Sequence, residues 1–357
     1  MSSVRPRRTA TGSITWRSTC RAERVVADSP SALSATTIRA LRGAKPAADP
    51  WAEPPWNLER ERRLAGGTRA ALTVFLTGAE CPYTCVFCDL WQHTLDEATP
   101  PGALPEQLRR VLERQTSPPE PDACLKLYNA SNFFEPRAVP EIDDEALARL
   151  AEPFDRVVVE CHPKLVGERC RHFAERLAGR QDGRLEVAMG FESVHPRALP
   201  RLGKGATRGD LERAAGRLER FGVGLRAFVL VGAPYVPEPE RMPSVLDTVR
   251  FALELGARHV SLIPVRGGNG ALEVLAGRGE WRAPTVGEIE EALDRSLELA
   301  GAAAVVAADP WDLERLATCP ECAGTRRERI ERIGLTGRTE PRIECARCGE
   351  GEPVEQR

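Results

Sequence analysis

The feature that most constrains the fold is an alternation that begins at Leu72. Short runs rich in apolar and β-branched residues recur at Leu72–Thr77, Cys124–Tyr128, Arg156–Glu160, Leu185–Gly190, Gly224–Val231, Val260–Val265 and Ala303–Ala307. Helical apolar spacing fills the intervals at Pro105–Arg114, Asp143–Leu150, Gly167–Leu177, Thr207–Phe221, Ser244–Leu255 and Thr285–Leu299. Pro105 stands at a first helical position, where its missing N–H costs nothing. Thr285 with Glu288 has capping-box spacing, and Thr207 with Asp210 comes close to it. Repeated strand–helix alternation demands parallel βαβ units. An open doubly wound sheet and a barrel share this grammar, and both place their sites at the C-terminal ends of strands.

The 357 residues suffice for one large domain or two ordinary ones, and 42% are apolar. Lys+Arg is 50 and Asp+Glu is 52, a net charge of −2. That balance excludes a globally basic nucleic-acid binder and a polyacidic tail protein, though not a local basic patch. Lysine occurs only at Lys45, Lys126, Lys164 and Lys204. No apolar run reaches the roughly 18 residues of a membrane helix, and the N-terminus has no apolar stretch of signal-peptide type. A soluble, cytoplasmic protein is expected. Residues 1–65 differ from the rest. The first 45 are rich in Ser, Thr and Arg, with Glu23 and Asp28 as the only acids, and Pro46–Trp56 (PAADPWAEPPW) follows. Without periodicity, this region reads as a disordered basic tail and linker. Its composition has some transit-peptide character, and contact with RNA is a further use for it.

Eleven cysteines in a reducing compartment argue for metal or redox chemistry rather than disulfides. Cys81-Pro-Tyr-Thr-Cys85-Val-Phe-Cys88 follows directly from the first strand. Three thiolates on one loop can face a single iron–sulfur cluster, which normally takes four protein thiolates. Three leave one iron open, and an open position makes a metal site catalytic. The plainer alternatives are a zinc pair at Cys85 and Cys88, or three packed cysteines. Cys319-Pro-Glu-Cys322 and Cys345-Ala-Arg-Cys348 are two knuckles separated by 22 residues. Four thiolates match a closed zinc site, with a second iron–sulfur cluster as the alternative. Two strands are expected between the knuckles, giving a zinc-ribbon-like segment. Its Arg326, Arg327, Arg329, Arg332, Arg338 and Arg342 would suit RNA phosphates. Cys124, Cys161 and Cys170 read as core cysteines.

The CxxxCxxC loop with aromatic Phe87 before its last cysteine resembles the radical S-adenosylmethionine superfamily. The likeness covers roughly residues 68–310. It continues through Lys126–Phe134 (KLYNASNFF), Val157–Pro163 (VVVECHP), Gly190–Ser193 (GFES) with Leu202–Gly205, and Ala227–Pro234 (AFVLVGAP). Ile263–Gly268 and Arg278–Pro284 (RGEWRAP) extend it. The order looks like the branch of elongator-type and methylthiotransferase-type tRNA enzymes. It is most similar to the radical partner of archaeosine synthase, which cleaves a C–N bond on a lysine-modified deazaguanine in tRNA.

The resemblance implies an α/β fold, a partial (β/α)6 TIM-type barrel over residues 66–312. The zinc-ribbon-like knot would occupy 313–357 and the disordered tail 1–65. It implies a 4Fe–4S cluster on Cys81, Cys85 and Cys88, whose fourth iron binds the amino and carboxylate groups of S-adenosylmethionine. One electron, from a flavodoxin- or ferredoxin-type donor, would release a 5′-deoxyadenosyl radical that abstracts hydrogen from the substrate. Phe87 would lie against the adenine. Asn129, Ser131 and Asn132 sit where the superfamily places an amine-binding Gly-Gly-Glu, which is absent here; turn chemistry is the alternative. Glu160, Glu192 and Ser193 end successive strands. The two acids would hold the cofactor ribose or a substrate amine, against the alternative of rim salt bridges. Lys204 would meet the cofactor carboxylate, against a plain solvated lysine. No catalytic residue is assigned; His93 and His162 are the candidate proton carriers. Gly267–Gly270 is a turn able to approach adenine or substrate, and it lacks the Lys and Ser/Thr of a phosphate loop. Competing functions are small-molecule or peptide modification on the same barrel, and a non-catalytic zinc-binding adaptor for RNA or protein.

Overall fold

The computed structural model describes residues 32–177 and 183–348. Its strands are β1 (Trp56–Arg62), β2 (Thr68–Phe75), β3 (Cys124–Tyr128), β4 (Arg156–Glu160), β5 (Leu185–Glu192), β6 (Gly224–Val231), β7 (His259–Pro264) and β8 (Val305–Ala308). The helices are α1 (Ala35–Ala40), α2 (Ala103–Arg114), α3 (Asp144–Leu150), α4 (Glu168–Leu177), α5 (Arg208–Arg220), α6 (Arg241–Glu254), α7 (Ala271–Gly277), α8 (Val286–Ala300) and α9 (Ala323–Thr336). The strands lie side by side in chain order, β1 to β8. From β2 to β8 every neighbouring pair is parallel. A doubly wound sheet would reverse its strand order part-way, whereas a barrel keeps it. The chain therefore builds a nearly closed barrel. Helix α9 packs against both edge strands, β1 and β8, and fills the seam.

Strand side chains alternate between two faces. Leu72, Val74, Leu125, Leu127, Val157, Val159, Val187 and Met189 face outward into one large core with Leu104, Leu108, Phe173, Leu211, Leu218 and Leu293 from the helices. The inward positions Ala71, Cys124, Val158 and Ala188 form a separate small cluster beside Tyr128 and Phe228. Toward the strand N-termini the interior is ionic. Glu61 meets Arg69 at 2.8 Å, Arg226 at 2.9 Å and Lys126 at 3.0 Å. Lys126 also meets Glu59 at 2.7 Å, and Arg226 bonds Glu186. Burial opposes ionisation of Glu61, but Arg226 and Lys126 outweigh it and hold the carboxyl far below the usual range. Such charges tolerate burial only because they are paired.

Residues 1–31 lie outside the described residues, so the basic tail expected there has no structural counterpart to report. The linker expected up to residue 65 is instead part of the fold. Residues from Leu33 onward form one compact unit, and β1 runs antiparallel to β2. The sequence concealed this strand because its inward positions are Glu59 and Glu61, not apolar residues. The expected strands between the C-terminal knuckles are replaced by helix α9. Its helical reading follows from Ile330 and Ile333, which are fully buried at i, i+3 spacing. Among the described residues, no helix is long and apolar enough to cross a membrane.

Candidate active site and metal centre

The cysteine loop leaves β2 at the C-terminal end of the barrel and is pinned on both sides. Thr77 N–H donates to Gln107 Oε1 at 2.8 Å, and Ala79 N–H to Thr99 Oγ1 at 2.8 Å. Val86 N–H donates to the Leu202 carbonyl at 2.8 Å, and Asn269 Nδ2 to the Val86 carbonyl at 2.8 Å. Gly203, at φ +73°, lies so close that a Cβ would collide with the Thr84 carbonyl. These contacts fix the backbone of the loop that carries the three thiols. Burial pushes the Cys81 thiol up, the Cys85 thiol well up and the Cys88 thiol to about 12. A metal binding here must displace protons from them. Asn132 Nδ2 lies 3.2 Å from Cys81 Sγ.

Around the loop stand buried polar atoms without protein partners: Asn129 Nδ2 and Oδ1, Ser131 Oγ and Thr84 Oγ1. Buried polar groups are normally satisfied, so such a cluster marks a place for a polar ligand. Glu160 adjoins it, accepting N–H bonds from Asn129 at 2.8 Å and Ala130 at 3.1 Å. Burial pushes the Glu160 carboxyl up to about 7. Lys204 and Glu192 are paired with each other at 2.7 Å, both buried. Burial opposes the Lys204 charge, yet Glu192 and Cys85 outweigh it and raise the ammonium pKa. Gly190 leaves room for this pair: a Cβ there would displace Glu192 Oε1 and Lys204 Nζ.

The sequence-derived candidates separate here. Cys81, Asn129, Ser131, Asn132, Glu160, Glu192 and Lys204 converge at one end of the barrel. Phe87 is half-buried against the cluster that contains Val86, Leu202 and Leu272. Ser193 is a brace: its hydroxyl bonds Ser244 at 2.9 Å and receives His195 N–H at 3.2 Å. His162 is a strut rather than a proton carrier. Its Nδ1 accepts from Lys164 N–H at 3.2 Å, its Nε2 meets the Lys204 carbonyl at 3.0 Å, and Tyr83 stacks on it at 3.8 Å. Burial and Lys204 lower its pKa to about 3, so the ring is neutral. His93 is exposed on the short turn Leu90–His93. In the Gly267–Gly270 turn, Asn269 does the work unread in the sequence: it fastens the cysteine loop to the start of α7, where its Oδ1 accepts Leu272 N–H at 2.9 Å.

At the other cysteine group, the sulfur atoms of Cys319, Cys322, Cys345 and Cys348 lie within 4.8 Å of one another. Among the described residues it is the only group so placed for a single ion. Backbone N–H groups of Cys348 and Arg347 pull the Cys345 thiol down to about 7, while burial pushes Cys322 to about 12. The arginines between the knuckles are mostly spoken for. Arg326 and Arg329 are buried and paired with Glu290, and Arg329 also meets Asp294 at 2.9 Å. Arg332 pairs with Glu340 at 3.0 Å. The basic surface expected of this segment is therefore largely neutralised from within.

No family model matches the chain. The archaeosine synthase subunit beta of Methanosarcina acetivorans is 24% identical over 231 residues, 62% of this chain and 65% of that protein. The chain thus spans just under two thirds of that relative. An uncharacterized protein of Methanocaldococcus jannaschii is 21% identical over 283 residues, 74% of this chain and 76% of its own length. Among solved structures, the archaeal Elp3 of Methanocaldococcus infernus covers 68% of this chain and 59% of its own at 16% identity, TM-score 0.46. Methylornithine synthase covers 72% and 80% at 12% identity, TM-score 0.44. These likenesses are loose, and the barrel rests on its own strand pairing. For a radical S-adenosylmethionine protein the implied groups are an iron–sulfur cluster and the cofactor itself. The residues present fit both: three thiols on a pinned loop, and orphaned amide and hydroxyl atoms beside them.

Proposed function

We propose that the chain is a radical S-adenosylmethionine enzyme that modifies a nucleoside in tRNA, by C–N bond cleavage of the archaeosine type. The observation that carries the reading is the cysteine loop at the barrel mouth with unsatisfied Asn129 and Ser131 beside it. Cys81, Cys85 and Cys88 would hold a 4Fe–4S cluster through deprotonated sulfurs. When bound, cluster and cofactor supply one-electron cleavage of a sulfonium and hence a carbon-centred radical. The chain's own residues would bind and orient. Asn129 and Ser131 offer donors and acceptors to an amino-acid and ribose group. Glu160, poised near neutrality, would accept from an ammonium or hydroxyl. Lys204 would lend positive charge to the cofactor carboxylate while Glu192 keeps it in place. Phe87 would pack against the adenine.

The tRNA part of the reading is supported by the archaeosine synthase relative. That relative is a subunit, which points to a partner protein as well. A flavodoxin- or ferredoxin-type donor and a cytoplasmic setting follow from the same reading, as does zinc at the four C-terminal cysteines. The test is 5′-deoxyadenosine release by anaerobically reconstituted protein under strong reductant, with and without bulk tRNA. Release that rises with tRNA is expected. Release indifferent to tRNA would move the substrate to small molecules or peptides. No release from a cluster-loaded protein would favour a non-catalytic adaptor.

A further inference from the structure

We propose that the barrel mouth grips a planar nucleobase of the substrate RNA against an aromatic wall formed by Trp311, Phe75, Tyr128 and Phe228. The inference rests on the reading of the chain as an RNA-modifying enzyme and names the part of the substrate that the mouth receives. Phe75 ends β2 and Tyr128 ends β3, and the two are partners in register. Trp311 lies three residues beyond the end of β8. All three therefore stand at the end of the barrel from which the cysteine loop springs. Ring centroids are 6.3 Å apart from Trp311 to Phe75, 6.3 Å from Phe75 to Tyr128 and 6.2 Å from Tyr128 to Phe228. The interplanar angles are 59°, 62° and 82° in that order. No pair lies face to face, the edge-to-face and tilted geometry usual for neighbouring aromatic rings.

Exposure and rigidity are combined at the rim. Trp311 is 58% exposed and Phe75 37%. Isolated exposed aromatics are ordinary. This one is carried on a pinned backbone turn, however. Trp311 N–H donates to Asp309 Oδ1 at 3.1 Å, and Arg266 donates both to the Trp311 carbonyl and, at 3.2 Å, to Asp309. The following residue, Asp312, takes a left-handed φ of 52° to make the turn. A pinned turn that carries an exposed ring adds nothing to the core, but it sets where a flat ligand could stack. Polar groups suited to base edges lie close by. The Tyr128 hydroxyl makes no hydrogen bond with any described residue. At the rim, half-exposed Arg315 donates to the Gly267 carbonyl at 2.9 Å and pairs with Asp312 at 3.4 Å, and a phosphate would compete with that pair. Chemistry inside a barrel requires a base taken out of its stack, and aromatic faces replace the stacking it loses.

The test measures equilibrium binding of unfractionated tRNA and of free guanosine to the full-length, cluster-loaded protein under anaerobic conditions. Trp311→Ala and Phe75→Ala are compared with wild type, with Trp311→Phe as the conservative variant and Trp51→Ala as an exposed control. Melting temperatures report folding. Expected are a loss of tRNA binding on the order of 10-fold or more for Trp311→Ala, a smaller loss for Phe75→Ala, substantial rescue in Trp311→Phe, and no change in Trp51→Ala. Unchanged binding in both alanine variants overturns the proposal. So does equal loss in Trp311→Phe and Trp311→Ala, or wild type that binds neither probe. Failure of the enzymatic reading shows separately, as absent 5′-deoxyadenosine release by the wild-type protein.

Discussion

The two cysteine groups use the same side chain to opposite ends. At the C-terminus four sulfurs approach within 4.8 Å, around a helix start whose arginines are already paired. Such a set closes its own coordination shell and leaves nothing for a substrate. At the barrel mouth three thiols share a loop with unsatisfied Thr84, and unsatisfied Asn129 and Ser131 follow the neighbouring strand β3. That set is incomplete as a cluster shell and incomplete as a hydrogen-bond network. Completion from outside is what separates a working centre from a staple.

The largest expected effect comes from removing the incomplete set. Cys81→Ala/Cys85→Ala/Cys88→Ala should lose all cluster iron and reduce 5′-deoxyadenosine release to background, with the metal at the C-terminal cysteines retained. Metal content by mass spectrometry checks this, and residual cluster iron would place a second cluster at the C-terminus. Next is the closed set. Cys319→Ser/Cys322→Ser should release that metal and loosen α9, lowering the melting temperature by roughly 5–10 °C while iron at the first loop stays. Equal loss of iron from both variants would erase the contrast between the groups.

A smaller effect tests how the loop is held. Gly203→Ala meets both a left-handed φ of +73° and the Thr84 carbonyl, whereas Gly256→Ala at φ +86° meets open space. Both should cost on the order of 1 kcal/mol in backbone strain, but only Gly203→Ala should lower iron loading. The smallest effect concerns Glu160 in the cofactor-free protein. Burial raises its folded pKa from the ordinary 4.5 to about 7. The folded state therefore holds a proton that the unfolded state has released between those values. Stability should fall as pH rises through that window and level off above it. Glu160→Gln should gain at most about 3 kcal/mol at pH 8 and almost nothing at pH 4. A melting series across pH reads this, and a pH-independent difference would show that the carboxyl does not titrate there.

How much was legible follows from what each segment shows to sequence. Parallel strands such as Arg156–Glu160 announce themselves as continuous apolar runs, because helices cover their outer face. The C-terminal knuckles were legible by spacing. Strand β1 was not, because Glu59 and Glu61 face a charged interior and mimic a linker. Deleting residues 1–60, harmless for a tail, would here remove most of that strand and take Glu59 from Lys126. The mutual pairing of Lys204 with Glu192 was also hidden, since they stand twelve positions apart and the room for the pair comes from the missing side chain at Gly190. His162 looked like a reactive histidine because sequence shows the ring but not its two occupied nitrogens.

The ionic interior described for Glu61 has a kinetic consequence. Glu61, Arg69, Lys126, Glu186 and Arg226 sit toward the strand N-termini and lock together there. With that floor stoppered, traffic is confined to a single doorway. Whatever lies deepest must arrive first and depart last, so the order of binding is written into the architecture before any affinity is considered.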